Sequence, residues 1–282
     1  MKYEDDPGSI KFHVKKFLLG NKERFTGKKI VDFPAGNGIT SGVIHDIGAI
    51  PLPFDLFPEY FSVEGIECLP ADAEHGIPLL EGSTDALICQ EGIEHFQDQL
   101  TVLKEFNRVL KPKGSLLITT PNYSNLRAKF SYLFSENERF LTIMPPNEKD
   151  SIWMKTVNDN NRVYFGHIFL MGILKLRLLA KLSGFRIRKI HATRVSSTCI
   201  VLFPFLYPWI FVINWLALKK NLRKARACGD PEKVKMYREI YKLVINPRCL
   251  TDKHLMVEFE KEAEVSEVAM RLTSRSREFG LT

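Results

Sequence analysis

Short apolar runs alternate along the chain with turns rich in glycine and acid. Ile30 and Val31 lead into Asp32, a small-residue turn follows (Phe33-Pro34-Ala35-Gly36-Asn37-Gly38), and residues 39–46 can continue as a helix. Residues 50–54 read as a second strand ended by Asp55, and residues 66–69 as a third that runs into Ala71-Asp72-Ala73. A fourth strand, 85–89, runs into Gln90-Glu91-Gly92-Ile93-Glu94-His95. Over 97–110 the apolar positions Leu100, Leu103, Phe106, Val109 and Leu110 recur at helical spacing. Lys111-Pro112-Lys113-Gly114 predicts a turn, and 115–120 a buried strand stopped by Pro121. A helix over 171–183 with Gly184 as its stop precedes strands at 185–191 and 254–259. Strands separated by helices predict an α/β fold around a mainly parallel sheet.

The first turn carries the most information about a ligand. Gly36 and Gly38 lack a Cβ, so the backbone bends sharply and a ligand can come close. Only G-x-G follows the strand, which departs from the dinucleotide fingerprint G-x-G-x-x-G. An anionic Asp32 at the strand end suits an amino group or a positive charge better than a pyrophosphate. Asp55 falls about 20 residues after the turn, where a doubly wound fold places a carboxylate for ribose hydroxyls.

Six pieces in order, DFPAGNG, FDLFPEYF, ADAEHGIPL, TDALICQEGIEHF, FNRVLKPKGSLLITTPN and LAKLSGFRI, span roughly residues 28–190. The series resembles the class I S-adenosylmethionine-dependent methyltransferases, and among them the bacterial group associated with surface-glycan biosynthesis. That resemblance implies a seven-stranded Rossmann-like sheet of order 3-2-1-4-5-7-6, with S-adenosyl-L-methionine as cofactor. Asp32 and the backbone of Ala35, Gly36 and Gly38 would cradle its methionine part. Asp55 would hold the ribose, Asp72 and Ala73 the adenine edge, and Gln90 would lie beside the sulfonium. One position departs from the pattern: Pro34 replaces the usual first glycine and removes an N–H donor from the turn.

Residues after strands four and five lie at the carboxyl edge of such a sheet, where ligands sit. Gln90, Glu91, Glu94, His95, Asn122 and Tyr123 are found there. His95 is the expected general base, since an imidazole titrates near working pH, and Glu91 is the carboxylate beside it. The run Glu91-Gly92-Ile93-Glu94-His95 also resembles the metal-binding E-x-x-E-H of small-RNA 2′-O-methyltransferases and some quinone O-methyltransferases, with His167 as a further ligand. Metal-free relatives carry the same letters, so the metal-free reading is preferred. His13, His45, His75, His191 and His254 show no partner spacing and read as structural. Aromatic and polar residues between 122 and 166 suit a lid over an acceptor that is a sugar or a flat phenolic ring.

At 282 residues the chain accommodates one such domain with additions. The expected organisation is an N-terminal cap (1–27), a cofactor-binding core (28–198), an apolar and basic helical insertion (199–250), the last core strand (251–262) and a tail (263–282). Five cysteines without paired spacing fit a reducing, cytoplasmic compartment, and the acidic start is unlike a secretory signal. Residues 199–218 are long and apolar enough to cross a bilayer, yet strands six and seven must pair on one side of it. Pro204 and Pro208 predict a broken helix, hence a re-entrant or interfacial hairpin between strands six and seven. The net charge of +7 includes the cluster Lys219, Lys220, Arg223, Lys224 and Arg226, whose place beside this run favours an anionic membrane surface over nucleic acid.

Three functions follow as expectations. The first is O-methylation of a sugar hydroxyl on a lipid-linked or nucleotide-linked glycan at the cytoplasmic membrane face. The second is O-methylation of a quinone or other lipophilic small molecule, and the third a membrane-associated binding subunit without turnover. Intact Asp32, Gly36, Gly38, Asp55 and Asp72 argue against the third.

Overall fold

A computed structural model describes residues 2–135, 152–154, 164–166 and 168–278. Seven strands form one sheet: β1 (Lys29–Asp32), β2 (Ile50–Asp55), β3 (Leu69–Pro70), β4 (Thr84–Gln90), β5 (Leu110–Pro121), β8 (Phe185–Ile190) and β9 (His254–Lys261). Their order is β3-β2-β1-β4-β5-β9-β8, which is 3-2-1-4-5-7-6 when only sheet strands are counted. A separate two-stranded ribbon pairs β6 (Ile152–Met154) with β7 (Tyr164–Phe165). The first five sheet strands are parallel, whereas β9 runs antiparallel between β5 and β8.

Helices cover both faces. On one, α1 (Ile10–Gly20), α2 (Lys22–Phe25) and α3 (Ile39–Asp46) bury Val14, Phe17, Leu18, Phe25 and Ile44 against Ile30, Ile88 and Met256. On the other, α4 (Gln99–Val109) and α6 (Ile173–Leu182) bury Val102, Phe106, Leu176 and Ala180 against Val31, Leu87 and Val257. Because alternate residues of a strand point to opposite faces, Ile30 and Val31 serve different cores. The α4 helix starts two residues later than its pattern predicts, since Asp98 caps it by accepting from Thr101 N at 2.9 Å.

Three expectations need correction. The third strand is only Leu69–Pro70, paired with Phe54 and Asp55, because a proline at the sheet edge offers no amide to extend the ladder. The segment 111–114 belongs to β5 as an irregularity rather than ending the preceding helix, with Lys113 at φ 64° and the register shifting between Thr84 and Ala86. Residues after 263 are not a tail throughout: α10 (Val265–Glu278) is helical.

Between β8 and β9 lies a helical arm: α7 (Ser197–Ala227), α8 (Pro231–Val244) and the short α9 (Pro247–Thr251). The apolar run is one helix of 31 residues, and Pro204 and Pro208 do not break it. Both prolines lie on the exposed side, four residues apart, so the amides they lack are missing from one edge only. The opposite stripe, Leu202, Phe203, Leu206, Tyr207 and Ile210, packs on Leu126, Cys199 and Leu250 and holds the helix. Leu126 belongs to α5 (Leu126–Ser135), which follows β5 and packs against α7.

Candidate functional site

At the carboxyl edge of β1, β2 and β4 the turns enclose a cavity of about 690 Å³. Ala35, Gly36, Asp55, Asp72, Gln90, Glu91 and His95 all line it. The turn after β1 is tied to β2: Gly36 N donates to Asp55 Oδ2 at 2.7 Å, and Phe57 N donates to Asp55 Oδ1 at 2.9 Å. Each carboxylate oxygen keeps a lone pair for a further donor. Asp72 closes an Asx turn by accepting from Glu74 N at 3.0 Å and pairs with His75 Nδ1 at 2.9 Å. Gln90 is oriented by Thr40, whose hydroxyl donates to Gln90 Oε1 at 3.0 Å.

Asp32, Gly38 and Ala73 are not part of the cavity lining. Asp32 is buried and accepts from Ser41 Oγ at 2.6 Å; burial pushes its carboxyl up to about 7, against that hydrogen bond. It therefore anchors α3 behind the turn. Gly38 opens α3 at φ +87° and lines a neighbouring hollow of about 320 Å³ instead. A Cβ there would come within 2.5 Å of Val63 and 2.7 Å of the Phe61 ring, so this glycine lets the loop 61–63 close on the turn. Ala73 is fully buried in the core.

The loop after β4 holds the titratable residues Glu91, Glu94 and His95. Gly92 lies so close to Pro34 that a Cβ would sit 2.2 Å from its Cδ, which presses this loop onto the turn after β1. Pro34, which lacks the amide of the usual glycine, thus supplies a packing wall. Glu91 takes a left-handed φ of 48°, uncommon for a residue with a Cβ. In that conformation Thr119 Oγ1 donates to Glu91 Oε1 at 2.9 Å, and His254 Nε2 stands 3.6 Å from Glu91 Oε2. Burial raises the Glu91 carboxyl, opposed by the Thr119 hydroxyl. Glu94 is fully buried, and neither of its oxygens has a partner in full hydrogen-bonding geometry among the described residues. Burial first, then the Glu91 charge, pushes its carboxyl well above the usual range. Such an acid is neutral where an exposed glutamate is ionised.

Several lining residues escape a reading of the sequence. Lys11 and Tyr3 reach the cavity from the N-terminal segment, with Lys11 Nζ donating to Asn37 Oδ1 at 3.2 Å. No local pattern singles them out: Lys11 sits on α1, an ordinary amphipathic cap, and Tyr3 in the short turn before it. His254, read as structural, reaches Glu91 only because β9 pairs antiparallel with β5 and sets His254 opposite Pro121. Among the described residues no three His, Cys, Asp or Glu side chains gather as metal ligands, and His167 lies outside the described residues.

Residues 32–118 match the family described as methyltransferase domain. A ubiquinone biosynthesis O-methyltransferase of Vibrio campbellii is 28% identical over 145 residues, covering 48% of this chain and 60% of that protein. One of Xanthomonas campestris is 30% identical over 105 residues, covering 34% of this chain and 44% of that protein. The matched part thus spans about half the length of these relatives. A SAM-dependent methyltransferase structure from Archaeoglobus fulgidus aligns with a TM-score of 0.51 at 13% identity, over 92% of this chain and 98% of that one. The S-adenosylmethionine-dependent methyltransferase structure from Mesorhizobium loti gives 0.50, also at 13% identity, over 92% and 100%. Residues 32–118 thus match a methyltransferase domain, within a sheet whose order and fold are those of the two aligned structures, and such a domain implies S-adenosylmethionine as cofactor.

Proposed function

We propose, from this class I methyltransferase domain, that the chain moves a methyl group from S-adenosylmethionine to a hydroxyl oxygen of a lipophilic phenol- or quinol-type acceptor. The observation that carries it is the joining, in one cavity, of the Gly36–Asp55 cradle with the proton acceptors His95 and Glu91. The relatives' names favour the quinone-type acceptor, the second expectation from the sequence, over the glycan hydroxyl that came first.

The cavity fits the cofactor. Asp55 has lone pairs left for ribose hydroxyls, Asp72 stands beside it for the adenine edge, and the volume lies within the usual range for small-molecule sites, roughly 300–1,000 Å³. When bound, the cofactor supplies an electrophilic methyl group on a sulfonium. The chain's own tasks are alignment and proton removal. A phenol with a pKa near ~10 needs a base at neutral pH. His95 takes that proton, while Glu91, held by Thr119 and faced by His254, sets the charge around it. Gln90, fixed by Thr40, positions the reacting end.

Calorimetry with S-adenosylhomocysteine and a mass-spectrometric methylation assay test this reading. Saturable binding and a mass gain of one methyl group on a prenylated catechol or quinol are expected. Binding with methylation of sugar-linked acceptors alone would replace the acceptor class; absence of binding at millimolar ligand would remove the function altogether.

A further inference from the structure

Outside the cavity, the arm formed by α7 and α8 is the largest feature without a role. It leaves and re-enters the domain at one point: Ser196 N donates to Thr251 O at 2.9 Å and Lys253 N to Arg194 O at 2.8 Å. Asp252, in the same stem, accepts from Thr193 N at 2.8 Å. At about 1.5 Å per residue α7 is roughly 46 Å long and α8 roughly 21 Å, so α8 covers less than half of its neighbour.

The outward stripe of α7 is apolar at every fourth position. Val201, Phe205, Trp209 and Ile213 are 65%, 71%, 69% and 61% exposed, with Val212 and Leu216 beside them. Four residues beyond Leu216 the surface turns cationic at Lys220 and Lys224, flanked by Lys219 and Arg223. No Asp or Glu occurs anywhere in Ser197–Ala227. The Lys219 ammonium stands 3.6 Å from the centre of the Trp215 ring, where the apolar surface meets the basic one.

We propose that this arm docks on the surface of an anionic phospholipid leaflet. The apolar stripe enters the boundary of the acyl chains, and the four cations lie on the headgroups. A contiguous apolar face of this size is unusual on a free monomer. Charge complementarity selects the occupant: the stripe ends in cations with no acid on the same helix, which suits anionic headgroups. A second copy would bring an equally acid-free α7. Each cation near such a surface strengthens binding by roughly fivefold. The arm does not cross the bilayer, because α8 carries Glu232, Lys233, Lys235, Arg238, Glu239 and Lys242, and β8 and β9 are hydrogen-bonded on one side.

Docking also orients the cavity. The α5 helix leaves the same edge of the sheet, after the carboxyl end of β5, and packs on α7 with Arg127 N donating to Cys199 Sγ at 3.3 Å. Its exposed Leu133 and Phe134 add further apolar surface on α5. An acceptor dissolved in the leaflet is thereby brought to that edge.

Flotation of the whole chain with phosphatidylcholine vesicles, with and without phosphatidylglycerol, tests the docking without acceptor or cofactor, so its outcome is separate from methyl transfer. Co-flotation with the anionic vesicles is expected, weakened by salt, with a blue shift of tryptophan emission and quenching by brominated lipid. Combined Phe205→Ser, Trp209→Ser and Leu216→Ser should weaken partition by at least about tenfold. Changing Lys219, Lys220, Arg223 and Lys224 to Gln should remove most of the preference for anionic vesicles. Circular dichroism confirms that each variant folds, and the wild-type quenching stands without any variant. The proposal is overturned if wild-type protein floats with neither vesicle. It is equally overturned if the protein is a dimer in solution that the serine variant splits and that binds no vesicle.

Discussion

The cavity edge and the arm use aromatic side chains in opposite ways. At the edge, Phe33 stacks on Phe96 at 5.8 Å between ring centres, and Phe106 meets Phe33 at 6.1 Å; Phe33 and Phe106 are buried. In the arm, Phe203 stacks on Tyr207 at 4.5 Å on the inward stripe, while Phe205 and Trp209 face outward with no core above them. At the cavity edge the chain itself supplies the partners of Phe33, Phe96 and Phe106. Along α7 the described residues supply a partner for the inward stripe and leave the outward one exposed. Exposed apolar area costs solvation, so the outward stripe is the feature on which the proposed lipid contact rests.

The comparison is sharpened most by deleting a ring on each side of it. Phe106→Ala empties space at the centre of the core shared by α4 and the sheet, and should lower unfolding free energy by about 3–5 kcal/mol in a denaturant melt. A loss below about 1 kcal/mol would mean that the core is looser than its packing indicates. Next in size is Asp55→Ala. It removes a carboxylate that ties Gly36 and Phe57 and would accept ribose hydroxyls, and should weaken S-adenosylhomocysteine binding by about 1.5–3 kcal/mol in calorimetry. Unchanged affinity would move the ribose away from β2.

Acid titration separates two kinds of buried carboxylate. Glu94 has a folded pKa above its unfolded one, so its ionisation opposes folding at high pH and stability rises as pH falls through the raised value. Glu258 behaves in the opposite sense. Burial would raise it, but His191, Arg24 and Arg188 hold its carboxyl down at about 2. Its contribution is present above the unfolded value and is lost as pH drops toward 2. Stability should therefore climb from pH 8 toward about 5 and fall below about 4. Glu94→Gln should raise stability at pH 8 by on the order of 1–2 kcal/mol and flatten the upper limb of that profile. A destabilised Glu94→Gln at pH 8 would show that the carboxylate is ionised and paired.

Much of this was legible from residues alone. The strand–turn–helix around Asp32 and Gly36, Asp55 at the end of β2 and Glu91 just after β4 are local patterns, and local patterns specify the sheet. What was not legible depends on distance or on context. His254 meets Glu91 through an antiparallel pairing that no spacing encodes, and Lys11 enters the cavity through packing of α1. Asp32, Gly38 and Ala73 are expected at the ligand by motif; they lie outside the cavity lining, where Asp32 holds α3, Gly38 admits the loop 61–63 and Ala73 packs in the core. Proline rules failed on α7 for a tertiary reason: the inward stripe packs well enough to carry the helix past Pro204 and Pro208.

The smallest expected effect is the most telling for the arm. Trp209 is 69% exposed and is not among the α7 residues packed on Leu126, Cys199 and Leu250, so Trp209→Ser removes little packing within the chain. In vesicle-free buffer the unfolding free energy should stay within about 0.5 kcal/mol of wild type, as for surface substitutions generally. Set beside Phe106→Ala, that near-zero result would mean that a large ring is kept for a contact made outside the chain. A loss of 2 kcal/mol or more would place Trp209 against the protein's own surface in solution, and the contrast between cavity edge and arm would collapse.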